Sequence, residues 1–214
     1  MTLRNLQRRV PKGRSMRKPH DEIRAAALDH AETIVVEDGL AALSARRVAA
    51  EAGCSVGTLY NIFGQLDGLV DAVNLKTLRM LGEEVGATLA SLPEGAEREA
   101  RLAALAAMYL RFARTHRNRW SALFEHRGAG PPDTKQQTVE NMIFARIAAA
   151  VGFDPNAIDK RAADSLRMLF AAVHGVVAFA VNRTIPPRDA ERYVAIIVKV
   201  AVRGYRELIE GEAP

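Results

Sequence analysis

The residues with the clearest capacity for chemistry lie on one face of the short segment 56–63. Leu59, Ile62 and Phe63 are apolar and recur at helical spacing, so the same helix turns its other residues towards solvent. That outward face combines small residues with a hydroxyl, a phenol and an amide, which can enter a base-pair groove and form hydrogen bonds there. Its members are Val56, Gly57, Thr58, Tyr60 and Asn61.

Two short helices joined by a tight turn would position this face. Ser44 offers an N-cap hydroxyl to the first helix, and apolar residues follow it at helical spacing. Gly53 suits the left-handed end of that helix, and Ser55 can cap the second helix two residues later. The second helix is too short to be stable alone, so packing must hold it. This arrangement predicts a helix-turn-helix, whose second helix reads the major groove of DNA.

The run from Val48 to Phe63, followed by Leu69, resembles the DNA-binding motif of the TetR family of bacterial regulators. The similarity lies in the order of the residues: Ala-Gly before the turn, Thr-Leu-Tyr in the reader helix and Phe near its end. Together these features cover the first third of the chain. One departure is Leu66, because the family commonly has a phosphate-contacting Lys at the start of the following helix.

The resemblance implies DNA contacts by residues outside the reader face as well. Arg46 matches a position from which a side chain reaches a base edge or phosphate, and Ser44 one where a hydroxyl and a helix N-terminus meet phosphate. Tyr60 matches a phosphate-contacting tyrosine. Arg47 is on the same exposed side as Arg46, and with Ser55 it completes the expected set. Arginines that interact only with solvent are the alternative.

Positive charge is concentrated in a predicted disordered basic arm, residues 1–20. This segment holds seven basic residues and no acidic one, whereas residues 21–67 hold three basic and eight acidic residues. The attraction to phosphate must therefore come largely from the arm. A solubilising tail is the alternative. The arm residues nearest the first helix join the expected DNA-binding set: Arg14, Arg17 and Lys18.

The composition favours an all-α protein with two functional parts. Alanine is very frequent, and the net charge is +5. We expect a three-helix DNA-binding domain at residues 21–67 and a helical ligand-binding and dimerisation domain at residues 68–214. A helix from Asp67 to Ala90 is expected to be the only continuous link between them. The single cysteine, Cys54, and the lack of about 18 uninterrupted apolar residues favour a cytoplasmic protein.

The last two predicted helices are apolar on more than one face, and such helices need burial on more than one side. Two copies packed as a four-helix bundle would provide it, so a homodimer is expected. A purely monomeric core is the alternative. The expected interface residues are Leu166, Phe170, Val173, Val177, Val194, Ile197, Ala201 and Tyr205.

Bulky side chains in the second domain predict a site for a small apolar effector, since family members bind small molecules there. Trp120 and the pair His174-Gly175 resemble one C-terminal subgroup of the family. His174 lies in an apolar run and needs a hydrogen-bond partner, either an effector or a neighbouring side chain. Plain core packing is the alternative. The expected ligand-binding residues are Met108, Phe112, Trp120, Phe124, Phe144, Phe170 and His174.

The motifs of enzymes are missing from the sequence. There is no Gly-rich phosphate loop, no nucleophile elbow and no HExxH pair, and the five histidines lack metal-ligand spacing. We therefore expect no catalysis, no cofactor and no metal. The expected function is a ligand-responsive repressor that binds a near-palindromic DNA operator as a homodimer. A helical protein-interaction module without specific DNA binding is the alternative.

Overall fold

The computed structural model describes residues 19–126 and 134–205, apart from the side chain of Tyr205. The predictions for residues 1–18, among them Arg14, Arg17 and Lys18, lie outside the described residues. Within these ranges the chain forms nine α-helices, one short 3-10 helix and no strand, which confirms the predicted all-α class. The helices are α1 (His20–Asp38), α2 (Ala45–Ala52), α3 (Val56–Phe63), α4 (Leu66–Ala90), α5 (Arg98–Thr115), α6 (Arg117–Glu125), α7 (Thr134–Ala150), α8 (Lys160–Val181) and α9 (Pro187–Tyr205).

Local signals position the helix-turn-helix as expected. Ser44 and Ser55 cap α2 and α3 through their side chains, and Gly53 ends α2 with φ 72° and ψ 36°. A left-handed residue at this position costs glycine little, so the chain reverses there within three residues. These helices share one core with α1 and the start of α4, including Ile34, Leu59 and Leu69.

The starts of three further helices depend on different local features. Helix α1 begins at His20 after Pro19, with no side-chain cap, and Asp21 lies inside its first turn. Helix α5 begins at Arg98, three residues after Gly95, which takes a positive φ of 78°. Helix α8 begins at Lys160, where the Asp159 carboxylate accepts the Ala162 N–H at 2.9 Å. A side-chain cap therefore decided the start of α8.

Helix α5 lies at the centre of the C-terminal domain and packs against α4, α6, α8 and α9. Its buried residues join those of α8 and α9 in one apolar core. Helix α7 differs, since Ala148 is the only one of its residues that is buried. It lies along α4 instead. This domain therefore has a well-packed centre and one peripheral wall.

The faces that α8 and α9 turn inward correct the predicted dimer contacts. Leu166, Val173, Val177 and Val194 are buried in the core of the single chain, so they are not free to meet a partner. Ile197 packs against the same core. Both helices are apolar on two faces, and helical periodicity cannot say which face turns inward. The apolar residues that the structure leaves exposed are Met168, Phe170, Phe179, Tyr193, Ile196 and Val200.

The length and composition of α8 would suffice to cross a membrane, with a mean hydropathy of 1.5. A core helix of a soluble protein has the same properties. One face of α8 lies in the protein core, with Val177 fully buried. A helix that packs against a core can have this apolar character without crossing a membrane.

Candidate functional site

The N-termini of the two motif helices are capped by serine hydroxyls. Ser44 Oγ accepts the backbone N–H of Arg47 at 3.3 Å. Ser55 Oγ accepts the N–H of Thr58 at 3.0 Å and lies 2.9 Å from the Thr58 hydroxyl. These bonds satisfy one orphan donor on each helix and fix the two side chains. The two capping serines are exposed, as are Arg46, Arg47 and Gly57 in the turns that follow them.

The outward face of α3 is shallow and polar. Gly57 is exposed, and a Cβ placed on it would meet only Ser55 Oγ at 3.7 Å, so packing within the chain does not require a glycine there. Tyr60 is 42% exposed, and Asn61 is exposed beside it. Val56 is half-buried against the first core. The structure thus brings the predicted reader residues onto one accessible surface.

The three arginines of the reader domain have different surroundings. Arg24 stacks over the Phe63 ring, 4.9 Å from its centroid, and donates to the Ile62 carbonyl at 3.4 Å. Arg47 is paired with Asp38 at 2.7 Å and with Glu51 at 3.2 Å. Arg46 is exposed and has no ion-pair partner among the described residues.

Arg46 and Arg47 therefore differ, although the sequence predicts a DNA-binding role for both. The two carboxylates beside Arg47 already satisfy its guanidinium, so Arg47 serves to join α1 to α2. Arg46 alone presents an uncommitted guanidinium on the described reader surface. This difference could not be predicted from the spacing of residues, because Asp38 lies in a separate helix.

A cluster of aromatic rings surrounds His174 in the C-terminal domain. The imidazole stacks on Trp120, with centroids 5.2 Å apart, and lies 4.3 Å from the Phe124 ring. Phe170 is 5.7 Å away on the remaining side. Nδ1 of His174 is hydrogen-bonded to the Tyr109 hydroxyl at 2.9 Å. A neighbouring side chain therefore supplies the hydrogen-bond partner that His174 needs, and no local sequence pattern pointed to Tyr109 for this role.

Burial sets the protonation of this pair. It lowers the pKa of His174 below its ordinary value, which favours the neutral imidazole. It also raises the pKa of Tyr109, while the nearby Trp120 indole acts in the opposite direction. Nε1 of Trp120 is buried and makes no hydrogen bond of normal geometry within the described chain. The cluster is thus uncharged at neutral pH.

An apolar cavity of about 110 Å³ lies next to this cluster, between α4, α5, α7 and α8. Tyr109 and Phe170 belong both to the cluster and to the cavity wall. The remaining wall is aliphatic or thioether, without a charged side chain: Leu81, Val85, Leu102, Leu105, Ala106, Met108, Ile143, Ile147, Leu166, Leu169 and Val173.

The predicted ligand-binding residues therefore divide into separate groups. Met108 and Phe170 line the cavity, whereas Trp120, Phe124 and His174 form the ring cluster beside it. Phe112 is buried against His116, and Phe144 lies under the Arg167 guanidinium at 5.1 Å. These last two residues correct the prediction, since neither reaches the cavity wall.

Helix α6 connects the ring cluster to the reader domain. Trp120 faces the cluster, while the preceding residue, Arg119, is paired with Glu32 of α1. The Asn118 amide donates to the Val36 carbonyl at 2.9 Å. Ala122 is part of the first domain's core, and its carbonyl accepts from the buried Asn74 amide at 3.3 Å. The sequence predicted that helix α4 would be the only link between the domains. Helix α6 is a second link, so that prediction was wrong.

An ion-pair network reinforces this junction. Lys76 of α4 contacts Glu32 at 2.6 Å and Asp29 at 3.1 Å. Burial alone would raise the pKa of Glu32, but hydrogen bonds from Lys76 and Arg119 outweigh it and hold that pKa below its ordinary value. One carboxylate of α1 is thus bound to α4 and α6 together.

Comparison with protein families gives a match in each half of the chain. Residues 27–73 match a model described as bacterial regulatory proteins of the tetR family. Residues 102–201 match a model described as a tetracyclin repressor-like C-terminal domain. No curated protein matches the sequence. Both matched regions therefore indicate the same family.

Solved structures share the fold at low sequence identity. A protein of unknown function from Rhodococcus sp. RHA1 is 24% identical, with a TM-score of 0.66 over 85% of this chain and 94% of that one. A TetR transcriptional regulator from the same organism is 18% identical, with a TM-score of 0.65 over 84% and 97%. The multidrug binding protein EbrR, complexed with imidazole, is 23% identical, with a TM-score of 0.58 over 85% and 93%.

Proposed function

The chain belongs to the TetR family of bacterial regulatory proteins, and we propose that it is a homodimeric repressor released from its operator by a small apolar molecule. As a member of this family it is a DNA-binding transcriptional regulator. The repressor role, the operator symmetry and the apolar effector are parts of the proposal. A cytoplasmic location follows from operator binding.

The polar outward face of α3 supports operator binding. Thr58, Tyr60 and Asn61 present hydrogen-bonding groups where a major groove would lie, and Gly57 adds no side chain to hinder approach. Arg46 adds a guanidinium from α2. Two such readers, one from each protomer, fit half-sites one turn apart, or about 34–36 Å, in a near-palindromic operator.

Exposed apolar stripes on α8 and α9 support a homodimer. Met168 and Phe179 are 72% and 56% exposed, and Val200 on α9 is 66% exposed. Exposed apolar area of this kind on adjoining helices marks an interaction surface. A Cβ on Gly175 would meet nothing within 4 Å, so the chain's own packing does not require glycine there. Close approach of a second copy of α8 gives this glycine a role.

The observation that carries effector response is the pair of contacts on consecutive residues of α6. Trp120 touches the ring cluster and Arg119 holds α1, so a change at the cluster moves the anchor of the reader. The adjoining cavity offers an apolar molecule a place to bind. The structurally similar EbrR is a multidrug binding protein. The Trp120–His174 contact also fits the narrower proposal that the C-terminal domain belongs to the Trp and His-Gly subgroup.

Footprinting and gel retardation on the DNA upstream of the protein's own gene test this function. We expect protection of a near-palindromic site by the dimer and its loss on addition of an effector. Arg119→Gln should keep operator affinity and effector binding but weaken the release. Arg117→Gln, on the same helix with an exposed side chain, is the matched control. Failure to retard any specific fragment, together with capture of a protein partner, would favour the interaction module.

A further inference from the structure

The carboxyl end of the reader helix α3 is held by α1. Arg24 of α1 donates from Nη1 to the Ile62 carbonyl at 3.4 Å, and its guanidinium carbon lies 4.9 Å from the centroid of the Phe63 ring. Leu59 is the only buried residue of α3, so contacts at the two ends of this short helix must help to orient it. Ser55 caps the amino end, and Arg24 contacts the carboxyl end.

Helix α4 meets the same end of α3. The Gly64 N–H donates to the Tyr60 carbonyl at 2.8 Å, and φ of Gly64 is 81°. A Cβ placed on Gly68 of α4 would collide with the Phe63 carbonyl oxygen, which is backbone and cannot turn aside. The last turn of α3 therefore lies between α1 and α4, and the Arg24 side chain lies against it.

The positive charge of Arg24 is not offset by the groups that hold it. A carbonyl oxygen and an aromatic ring are both neutral, and no carboxylate within residues 19–126 and 134–205 forms an ion pair with Arg24. A guanidinium has five N–H donors, and the Ile62 carbonyl accepts from one of them. Arg24 is also exposed, so its remaining donors are free for a ligand. Arg47 differs, since it is paired with Asp38 and Glu51.

The position of Arg24 suits a phosphate of the DNA backbone. The N-terminal residues of a reader helix contact base edges in the major groove, so we expect its carboxyl end to lie nearer the edge of the groove, where the phosphates are. That end carries about half a negative charge, which would repel a phosphate. The Arg24 guanidinium lies on this end and offsets that charge. Arg24 is also about one helical turn from His20, where the predicted basic arm joins α1.

We propose that Arg24 binds a DNA phosphate, and that the Phe63 ring and the Ile62 carbonyl hold its guanidinium ready for this contact. The contact rests on the operator binding of the proposed function and adds a residue to it. Arg47 is neutralised within the chain, so Arg24 and Arg46 are the two arginines of the reader domain that attract phosphate. A side chain that is fixed before binding loses less conformational entropy when DNA arrives. Because the phosphate is the same in every nucleotide, the contact strengthens binding to all sequences alike.

The salt dependence of DNA binding tests this contact. Arg24→Met keeps a chain that can pack on the Phe63 ring but removes the charge. We expect it to weaken binding to the operator and to unrelated DNA by the same factor, and to flatten the plot of log affinity against log salt by about 0.9 for each protomer. Arg24→Lys keeps the charge and should retain the wild-type slope. Arg111→Met is the matched control, since it removes an exposed arginine from α5 and should leave the slope unchanged.

A double-mutant cycle tests whether the ring holds Arg24 in place. Phe63→Leu keeps an apolar side chain but removes the aromatic face under the guanidinium. We expect it to weaken binding to all sequences while the salt slope stays the same, because the charge of Arg24 remains. In the Arg24→Met background the same substitution should have a smaller effect. Equal effects in the two backgrounds would overturn the holding role of the ring.

The outcomes separate this contact from a merely structural role of Arg24. An unchanged salt slope for Arg24→Met would overturn the phosphate contact and leave Arg24 as a positioning residue of α3. If circular dichroism shows that Arg24→Met does not fold, Arg24→Gln replaces it, since its amide can donate to the Ile62 carbonyl without a charge. A wild-type protein that retards no specific fragment would instead overturn the proposed function, so the two failures are distinguishable.

Discussion

The reader domain and the C-terminal domain differ in what their helices leave exposed. In the reader, most apolar residues of α1 to α3 lie in one core, and the outward face of α3 is polar. In the C-terminal domain, α8 and α9 fill the core with one apolar face and expose a second, including Phe179 and Val200. A polar face suits a groove with hydrogen-bonding edges, and an apolar face suits another protein surface.

The two domains also differ in how tightly their interiors are filled. Ala27, Val48 and Leu59 of the reader are at most 1% exposed, and its helices are held by caps and ion pairs. The C-terminal domain contains a cavity and a peripheral helix beside it. A rigid reader keeps the geometry that a DNA groove demands. A domain that must respond to a ligand needs free volume and a part that can move.

The largest expected effect comes from a substitution on the exposed apolar face of the C-terminal domain. Val200→Glu places a charge on an exposed position of α9, so the chain should still fold but no longer dimerise. Loss of the second reader removes the avidity of two linked half-sites, which is worth about 10²–10⁴ in affinity. Sedimentation and operator titration check both expectations.

A buried position on α8 provides the contrast. Val177→Glu should unfold the C-terminal domain, because Val177 is fully buried and a carboxylate there would have no partner. Ile197→Glu would be less informative, since Ile197 packs against the core and the variant would combine both defects. A Val200→Glu protein that remains dimeric would contradict the proposed interface.

The next largest effect concerns DNA binding, because the folded part of the reader domain has more acidic than basic residues. Residues 21–67 carry eight acidic and three basic residues, while residues 1–20 carry seven basic residues. Deletion of residues 1–18 should weaken operator binding and flatten the plot of log affinity against log salt by about 0.9 for each lost phosphate contact. Titration at several salt concentrations measures the slope. An unchanged slope would mean that residues 1–18 make no phosphate contacts and form a solubilising tail.

A smaller effect separates the two neighbouring arginines of α2. Arg46→Ala should relax discrimination between operator sequences by roughly 1–3 kcal/mol if its base contact is bidentate. Arg47→Ala should leave discrimination unchanged, since Asp38 and Glu51 already hold that side chain. Tyr60→Phe should weaken all sequences alike, because it would remove the phosphate contact that the family resemblance predicts. Equal effects of the two arginine substitutions on every sequence would refute this assignment.

The parts of the fold that could be predicted are those encoded by neighbours in the chain. Ser44, Gly53 and Ser55 act through bonds to residues within four positions, so their roles could be inferred from spacing alone. The helix Val56–Phe63 has the predicted bounds for the same reason. The polar outward face of α3 could be predicted from the positions of its inward apolar residues.

The parts that could not be predicted depend on residues far apart in the chain. Tyr109 and His174 are 65 positions apart, and Arg119 and Glu32 are 87 apart. No local pattern announces such pairs. The inward face of α8 was ambiguous because apolar residues surround the helix, so Val173 and Val177 were assigned to the interface instead of the core.

The smallest expected effect tests whether the ring cluster is tuned to stay uncharged. Burial lowers the pKa of His174, so the unfolded chain binds a proton more readily than the folded chain does. His174 therefore does not reduce the free energy of unfolding above its ordinary pKa of 6.5. As the pH falls from 6.5 towards the lower pKa of His174 in the folded chain, the free energy of unfolding decreases. We expect the melting temperature to fall over this range, because protonation of His174 favours the unfolded chain. His174→Asn is the matched variant, since its amide cannot titrate and its oxygen can accept from the Tyr109 hydroxyl. Thermal denaturation at pH values on both sides of 6.5 should show a steeper loss in the wild type than in the variant. The other acidic and basic groups titrate in both proteins, so the difference between the two curves isolates His174. Parallel curves would mean that the imidazole tolerates its charge among the rings, and the cluster would then be able to accept a polar effector as well.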